Sequence, residues 1–237
     1  ATAITFDGKI LLVGGINASG QKINQVLELD PATNQWTQKA AMPTARFGAE
    51  LVFLDGKVWA IGGSLPSPTN KVEIYDVSTD SWTTGPALIT IKSWPSAWEA
   101  NGRIYAAGGK SGSYLDSIEI YDPDTNQWIA SGSLPENKFC AGAAVLDGKI
   151  YLVAGERANT VWSDKVYAAT LPPPARHLYF KDGNATAGLS LSYASTDVDG
   201  QDAGSAQTDI KSYQVTLYGD YATSGGYIEG LVGYASN

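Results

Sequence analysis

The sequence predicts an all-β fold in which one four-stranded unit recurs over residues 1 to 180. Three observations predict it. Asp/Asn-Gly pairs stand at Asp7-Gly8, Asp55-Gly56, Asn101-Gly102 and Asp147-Gly148, at steps of 48, 46 and 46 residues. A glycine doublet follows each of the first three pairs: Gly14-Gly15, Gly62-Gly63 and Gly108-Gly109, with Ala154-Gly155 as the variant in the fourth. A third strand then leads through a tight turn to a tryptophan, at Trp36, Trp82 and Trp128. Repetition at this period in a β-patterned chain reads as a propeller or solenoid.

Each unit is justified in turn by the same chemistry. An apolar strand such as Leu51 to Leu54 runs into the Asp-Gly pair, which supplies the positive φ angles of a two-residue hairpin. A second strand, Lys57 to Ile61 in that unit, ends at the glycine doublet, where the chain bends without room for a β-carbon. The third strand reads VLELD, VEIYD, IEIYD and a degraded VYAAT. Turns of the type DPATNQW, DVSTDSW and DPDTNQW deliver the fourth strand. One twisted four-stranded blade cannot bury both faces alone, whereas blades stacked radially cover each other. Tyr75 and Trp82, and Tyr121 and Trp128, stand seven residues apart and are expected between neighbouring blades; Leu29 and Trp36 keep the spacing. Each such aromatic contributes several kcal/mol before entropy, at roughly 25 cal/mol per Å2. The expected blades are 1–44, 45–90, 91–136 and 137–180.

These features resemble the kelch repeat family. The glycine doublet, the third-strand tyrosine, the fourth-strand tryptophan, the DPxTNxW turn and the MPTARFG approach to the next unit carry the resemblance. It implies a kelch-type β-propeller. The fourth unit departs from the pattern: VYAATLPPPARHLYF has no tryptophan and three prolines in place of the turn, and Tyr179 is the expected substitute on its outer strand. Four units are fewer than the usual kelch ring, so ring closure by the tail or by another copy is an open expectation.

From residue 181 to 237 the composition changes to Ser, Thr, Gly, Tyr and Asp. AGLSLSYAS, IKSYQVTLYGDYA and GYIEGLVGYAS alternate apolar and polar residues as antiparallel strands do. The wording from LSYASTDVDG onward resembles the first strands of the barrel domain of bacterial autotransporters, with Thr196 to Asp209 as a strand connection. Three or four strands cannot close a barrel. A further blade or edge-to-edge pairing with a second molecule is expected of the tail instead. That resemblance implies a bacterial envelope or extracellular location, with a cytoplasmic one as the alternative. Membrane association is expected only through these C-terminal strands.

Composition narrows the function classes. The net charge of −8 disfavours a nucleic-acid partner, whose phosphates need a basic footprint. A single histidine, His177, leaves no His-based triad, no Cys/His zinc site and no copper site of the galactose-oxidase kind. No cofactor and no metal are expected. The single Cys140, between Phe139 and Ala141, reads as a buried thiol. No apolar run has the length of a membrane helix. No signal peptide is visible, and the opening ATAITFDGK already lies within a strand pattern, as in a trimmed N-terminus. Asn17 and Asn184 begin glycosylation-type triplets that are common by chance.

The candidate site has two parts. Arg46, Lys92 and Lys138 each precede an Asp/Asn-Gly turn by nine residues, so they occupy equivalent places. They are read as a basic rim of the central channel that binds anions, or else as a solvated residue that the repeat echoes. The kelch resemblance assigns partner contact to the Arg of P-x-x-R-x-G, a match complete only at Arg46. The second part is the variable loops after the glycine doublets, where Tyr114, Trp162, Arg157 and Glu156 stand, together with Trp94, which takes the place of Gly48. Asn24, Asn70, Asp116 and Asp164 recur two residues before the third strand and are explained by side-chain bonds to loop backbone. The expected function is an interaction module, not an enzyme, that binds a protein or carbohydrate through loops and rim. Two alternatives stand beside it. One is a sialic-acid mutarotase with Glu156 as general acid/base; the other is a fused or truncated envelope protein that self-associates as a homo-oligomer.

Overall fold

The computed structural model describes residues 1–157 and 161–170 in full and residues 176–182, 185–198 and 208–221 as backbone. Strands arise where the repeat places them, and no α-helix occurs among the described residues. None is therefore long and apolar enough to cross a membrane, which says nothing of a β-barrel.

The first blade is β1 (Thr2–Phe6), β2 (Lys9–Ile16), β3 (Lys22–Asp30) and β4 (Gln35–Lys39), paired in that order. The second is β5 (Glu50–Leu54), β6 (Lys57–Ile61), β7 (Val72–Asp76) and β8 (Ser81–Thr84). The third takes β9 (Ser96–Ala100), β10 (Arg103–Ala107), β13 (Ser117–Asp122) and β14 (Gln127–Ser133), with a small ladder of β11 (Lys110–Ser111) and β12 (Ser113–Tyr114) in its loop. The fourth has three strands: β15 (Gly142–Leu146), β16 (Lys149–Val153) and β19 (Val166–Thr170). Its loop holds the ladder of β17 (Glu156–Arg157) and β18 (Val161–Trp162). A separate antiparallel sheet joins β20 (Arg176–Asp182), β21 (Ala185–Val198) and β22 (Thr208–Tyr221).

Tyr179 therefore does not replace the missing tryptophan of the fourth blade. It lies on β20, opposite Gly188 of β21. Pro172, Pro173 and Pro174 intervene between β19 and β20, and a residue without an N–H cannot continue a ladder. The expected third tail strand, GYIEGLVGYAS, lies outside the described residues. The chain divides into two compact units, one of residues 1–145 and 152–166, the other of residues 146–151 and 167–237.

Within the first unit the hairpins turn as the Asp/Asn-Gly pairs predict. Asp55 and Gly56 have φ of 49° and 73°, and Asn101 and Gly102 have 56° and 75°. The glycine doublet serves a close approach between blades. Gly62 sits at φ 64°, a β-carbon there would stand 2.5 Å from the Lys92 carbonyl oxygen, and the Gly63 N–H donates to that same oxygen at 2.9 Å.

Two apolar layers hold successive blades together. Phe6, Leu11, Val13, Val26 and Met42 of the first blade pack on Leu51, Val58, Ala60 and Tyr75 of the second. Val52, Trp59, Ile61 and Val72 of the second pack on Ala97, Ile104, Ala106, Tyr121 and Trp128 of the third. The indoles add a directional bond. Trp82 Nε1 donates to the Ala40 carbonyl at 2.8 Å, and Trp128 Nε1 donates to the Pro86 carbonyl at 2.9 Å, each across 42 residues. Tyr75 and Tyr121 lie tilted against Trp82 and Trp128 with ring centroids 5.2 and 5.7 Å apart.

Trp36 departs from the expectation that it packs between blades. It is 50% exposed, whereas Trp128 is 6% exposed. The acceptors of Trp82 and Trp128 belong to the blade before their own, and no such acceptor is recorded for the Trp36 indole among the described residues.

Candidate functional site

The repeated cations come together with carboxylates rather than with solvent. Arg46, Lys92 and Lys138 are buried, at 1%, 0% and 1% exposure, which corrects the reading of an open anion-binding rim. The reason is a second repeated position. Glu73 and Glu119 stand in the same place on β7 and β13, across the ladder from Ala60 and Ala106. Arg46 pairs with Glu73 and also donates to the Ala60 carbonyl at 2.9 Å. Lys92 stands 3.4 Å from Glu119 and donates to Ser117 Oγ at 2.6 Å. Glu119 also accepts the backbone N–H of Ile89 and Thr90, at 2.7 and 3.1 Å, which ties the linker between blades to the third blade.

In the fourth blade the corresponding third-strand residue is Tyr167, and the carboxylate comes from elsewhere. Glu136, at the place of Thr44 and Thr90, pairs with Lys138 at 2.9 Å and accepts Ser163 Oγ at 2.9 Å. Each cation thus keeps an anion although its source changes. Burial pushes the Arg46 and Lys92 pKa below their ordinary values, and the facing carboxylate opposes that shift. A buried cation committed to a carboxylate positions backbone; it is not available to an outside anion. Glu73 and Glu119 were missed in the sequence, although their 46-residue separation in VEIYD and IEIYD was the signal.

The other candidates form a surface. Gly48, Trp94 and Cys140 are equivalent, all have positive φ (63°, 47° and 55°), and they touch in series. The Trp94 N–H donates to the Gly48 carbonyl at 2.7 Å, and the Cys140 N–H to the Trp94 carbonyl at 3.4 Å. A β-carbon on Gly48 would stand 2.6 Å from the Trp94 ring, so glycine there makes room for the indole. Trp94 is half-buried, with its ring edge-on between Phe47 (5.0 Å) and Phe139 (5.2 Å). Tyr114 meets Phe139 at 5.8 Å and donates to Glu156, and Lys110 Nζ lies 4.7 Å over the Tyr114 ring. Lys22 lies 5.7 Å over Phe47.

Cys140 is exposed, not buried as its apolar neighbours in sequence suggested. Desolvation, with the charges of Glu156 and Glu50, pushes its thiol up to about 11, so it stays protonated and a weak nucleophile. Glu50, which opens β5, has its carboxyl pushed up to about 7 by burial.

Beyond this aromatic set, Glu156 and Arg157 of β17 pair with Trp162 and Val161 of β18. Arg157 stands 3.4 Å from Glu136 at the edge of the Lys138 cluster. Trp162 is 72% exposed, and Val161 beside it is 44% exposed. The structure therefore brings Trp94, Tyr114 and Glu156 into one contact network, joins Arg157 to the buried ion pair, and leaves Trp162 on the outside. Asn24 and Asn70 bond the Met42 and Leu88 carbonyls at 2.9 and 3.2 Å, the backbone role expected of them. Among the described residues no three His, Cys, Asp or Glu cluster closely enough to hold a metal.

Radial four-stranded blades, a glycine doublet under the neighbouring carbonyl and an indole bonded to the preceding blade define a β-propeller of the kelch class. Residues 1–155 match the KLHDC2/KLHL20/DRC7 Kelch-repeats domain, and the chain belongs to the kelch repeat family. Residues 176–237 match the autotransporter beta-domain. Among curated proteins, the chain is 36% identical over 56 residues to Kelch-like protein 42 of Homo sapiens, a match covering 24% of the chain and 11% of that protein. It is 30% identical over 60 residues to alpha-scruin of Limulus polyphemus, covering 25% of the chain and 6% of that protein. Beta-scruin of the same organism matches at 33% over 60 residues, 25% of the chain and 7% of that protein. The matched segments are thus a small part of each relative. The solved structure titled "Structure of YjhT" superimposes with a TM-score of 0.62 at 16% identity, over 95% of this chain and 84% of that one, a likeness of fold.

Proposed function

We propose that the kelch blades form a protein-interaction module that engages a protein or glycan partner through the loops after the glycine doublets. The observation that carries this reading is Trp162, an indole 72% exposed on a two-residue ladder beside Arg157. Large exposed aromatics on short, braced loops are the usual anchors of recognition surfaces. The aromatic set of Trp94, Tyr114 and Phe139, flanked by Lys110, supplies a neighbouring surface of ring faces and edges. Kelch domains commonly work in this way, and the family match over residues 1–155 supports it. The match of residues 176–237 to the autotransporter beta-domain supports work at a bacterial envelope or outside the cell.

The test is a screen of the full chain against a displayed random-peptide library and an array of neutral and sialylated glycans. Trp162→Ala and Arg157→Ala should each weaken the selected ligands about tenfold or more while the unfolding midpoint holds. Ligands that bind equally well to both variants would place recognition elsewhere and refute the loop reading.

A further inference from the structure

The joints between blades are tied at their inner strands by a repeated side-chain donor, and at one joint an acid stands in its place. Thr2, Glu50 and Ser96 each lie five residues before an Asp/Asn-Gly turn. Each also faces, across the ladder, the residue that precedes a glycine doublet: Val13, Ile61 and Ala107. Thr2 Oγ1 donates to the Ala49 carbonyl at 2.8 Å, which ties the first blade to the second. Ser96 Oγ donates to the Ala141 carbonyl at 2.8 Å, which ties the third to the fourth. Ala49, Pro95 and Ala141 are equivalent in their turn, each six residues before an Asp/Asn-Gly pair. The joint of the second and third blades therefore has Glu50 in the donor's place and Pro95 in the acceptor's. Pro95 is buried, and among the described residues no donor to its carbonyl is recorded.

A buried carbonyl without a donor is costly, so a group that can bring it a proton is favoured there. A hydroxyl can always donate near neutral pH, whereas a carboxyl donates only while it holds its proton. Burial alone pushes the Glu50 carboxyl up to about 7. The surrounding charges leave that balance in place. On the strands packed against β5 the charged side chains are Lys57 of β6, Glu99 of β9 and Arg103 of β10, all toward the hairpin end, away from Glu50. The Tyr105 phenol of β10 belongs to a ring stacked on Trp98. At the Glu50 end stand Cys140, whose thiol is raised by Glu156 and Glu50 together, and Glu156, which accepts the Tyr114 hydroxyl. Lys110 lies over the Tyr114 ring, and the Ala1 amino group lies against Gly15.

We infer that Glu50 is a proton-operated latch between the second and third blades: protonated, it donates to the Pro95 carbonyl as Thr2 and Ser96 donate at the other joints, and ionised, it lets that carbonyl go. The latch adjoins Trp94. The Trp94 N–H donates to the Gly48 carbonyl at 2.7 Å, so residues 48–50 and 94–95 are held by that bond and the latch on the acid side of neutrality, and by that bond alone on the alkaline side. The seating of the Trp94 ring between Phe47 and Phe139 thus becomes dependent on pH. Trp162 and Arg157 take no part in the latch, and the inference does not rest on the reading given for them.

The experiment is amide hydrogen exchange of the full chain by NMR from about pH 5.5 to 8.5, corrected for the intrinsic pH dependence of exchange. Protection of the Trp94 N–H should fall about fivefold as pH rises through the Glu50 titration, the value of one net hydrogen bond. The Gly15 N–H, which donates to the Arg46 carbonyl at the joint that Thr2 serves, should hold its protection. Glu50→Thr copies Thr2 and should keep Trp94 at the parent's low-pH protection throughout. Glu50→Val removes charge and donor together and should leave Trp94 about fivefold less protected than Glu50→Thr at every pH. Both replacements are β-branched and suit a strand, so the fold is kept. Equal protection in the two variants would overturn the inference, because burial of the carboxyl would then act without a bond. Trp94 protection that ignores pH in the parent would overturn it too, as would a Glu50 carboxyl carbon that titrates in the ordinary carboxylate range.

Discussion

The first and third blades are written in nearly the same letters, yet their tryptophans live in different worlds. Trp36 and Trp128 each follow a DPxTNQW turn. Trp128 is 6% exposed, bonds the Pro86 carbonyl and belongs to the main apolar cluster; Trp36 is 50% exposed. The motif therefore specifies a place on a blade, and the neighbouring blade decides whether that place becomes core. The same holds for charge. The third blade keeps Glu119 to hold Lys92, whereas the first has Leu27 at that register. Stability in a radial repeat belongs to the interface as much as to the unit.

The sharpest way to break this comparison is to remove one half of a buried pair. Lys92→Met leaves Glu119 buried without its cation and should cost about 3–5 kcal/mol in urea denaturation. Adding Glu119→Leu should recover part of that, because two apolar residues leave no stranded charge. Next in size, Trp128→Ala should cost about 3–4 kcal/mol through the cavity it opens between the second and third blades. Trp36→Ala, measured in dilute solution, should cost less than about 1 kcal/mol.

A pH experiment sharpens the account at the innermost strand of the second blade. The carboxyl of Glu50 is held near 7 by burial, well above its unfolded value, so the folded state keeps a proton that the unfolded state releases. Stability should be fullest below the unfolded pKa and should fall as pH rises through about 7. Glu50→Gln should remove that slope and raise stability at pH 8 by about 1–3 kcal/mol, read from unfolding midpoints between pH 4 and 8.

Much of the architecture was legible because it rests on local chemistry. Asp-Gly turns, glycine under a neighbouring carbonyl and the seven-residue step from Tyr75 to Trp82 each state their own geometry. What could not be read from single positions was accessibility. Arg46, Lys92 and Lys138 stand at regular intervals, and regular spacing of cations looks the same for an open mouth and for a row of interior pairs. Only the matching interval between Glu73 and Glu119 distinguishes them, and the fourth blade hides even that by taking its carboxylate from Glu136. Cys140 was misjudged for a related reason. Its apolar sequence neighbours argue for burial, but it takes the positive-φ position of Gly48 and Trp94 and is exposed there. The outer strand expected at Tyr179 belongs instead to a separate sheet, where β20 pairs with β21.

The central claim is that these blades are held by what each receives from the one before it. The most direct measurement is a pair of urea titrations on the dilute full chain carrying Trp128→Phe or Trp36→Phe. Trp128→Phe strips the N–H that satisfies the Pro86 carbonyl and should lower stability by about 1–2 kcal/mol. Trp36→Phe should shift it by no more than about 0.5 kcal/mol. Equal losses from the two substitutions, or a larger loss at Trp36, would contradict the account.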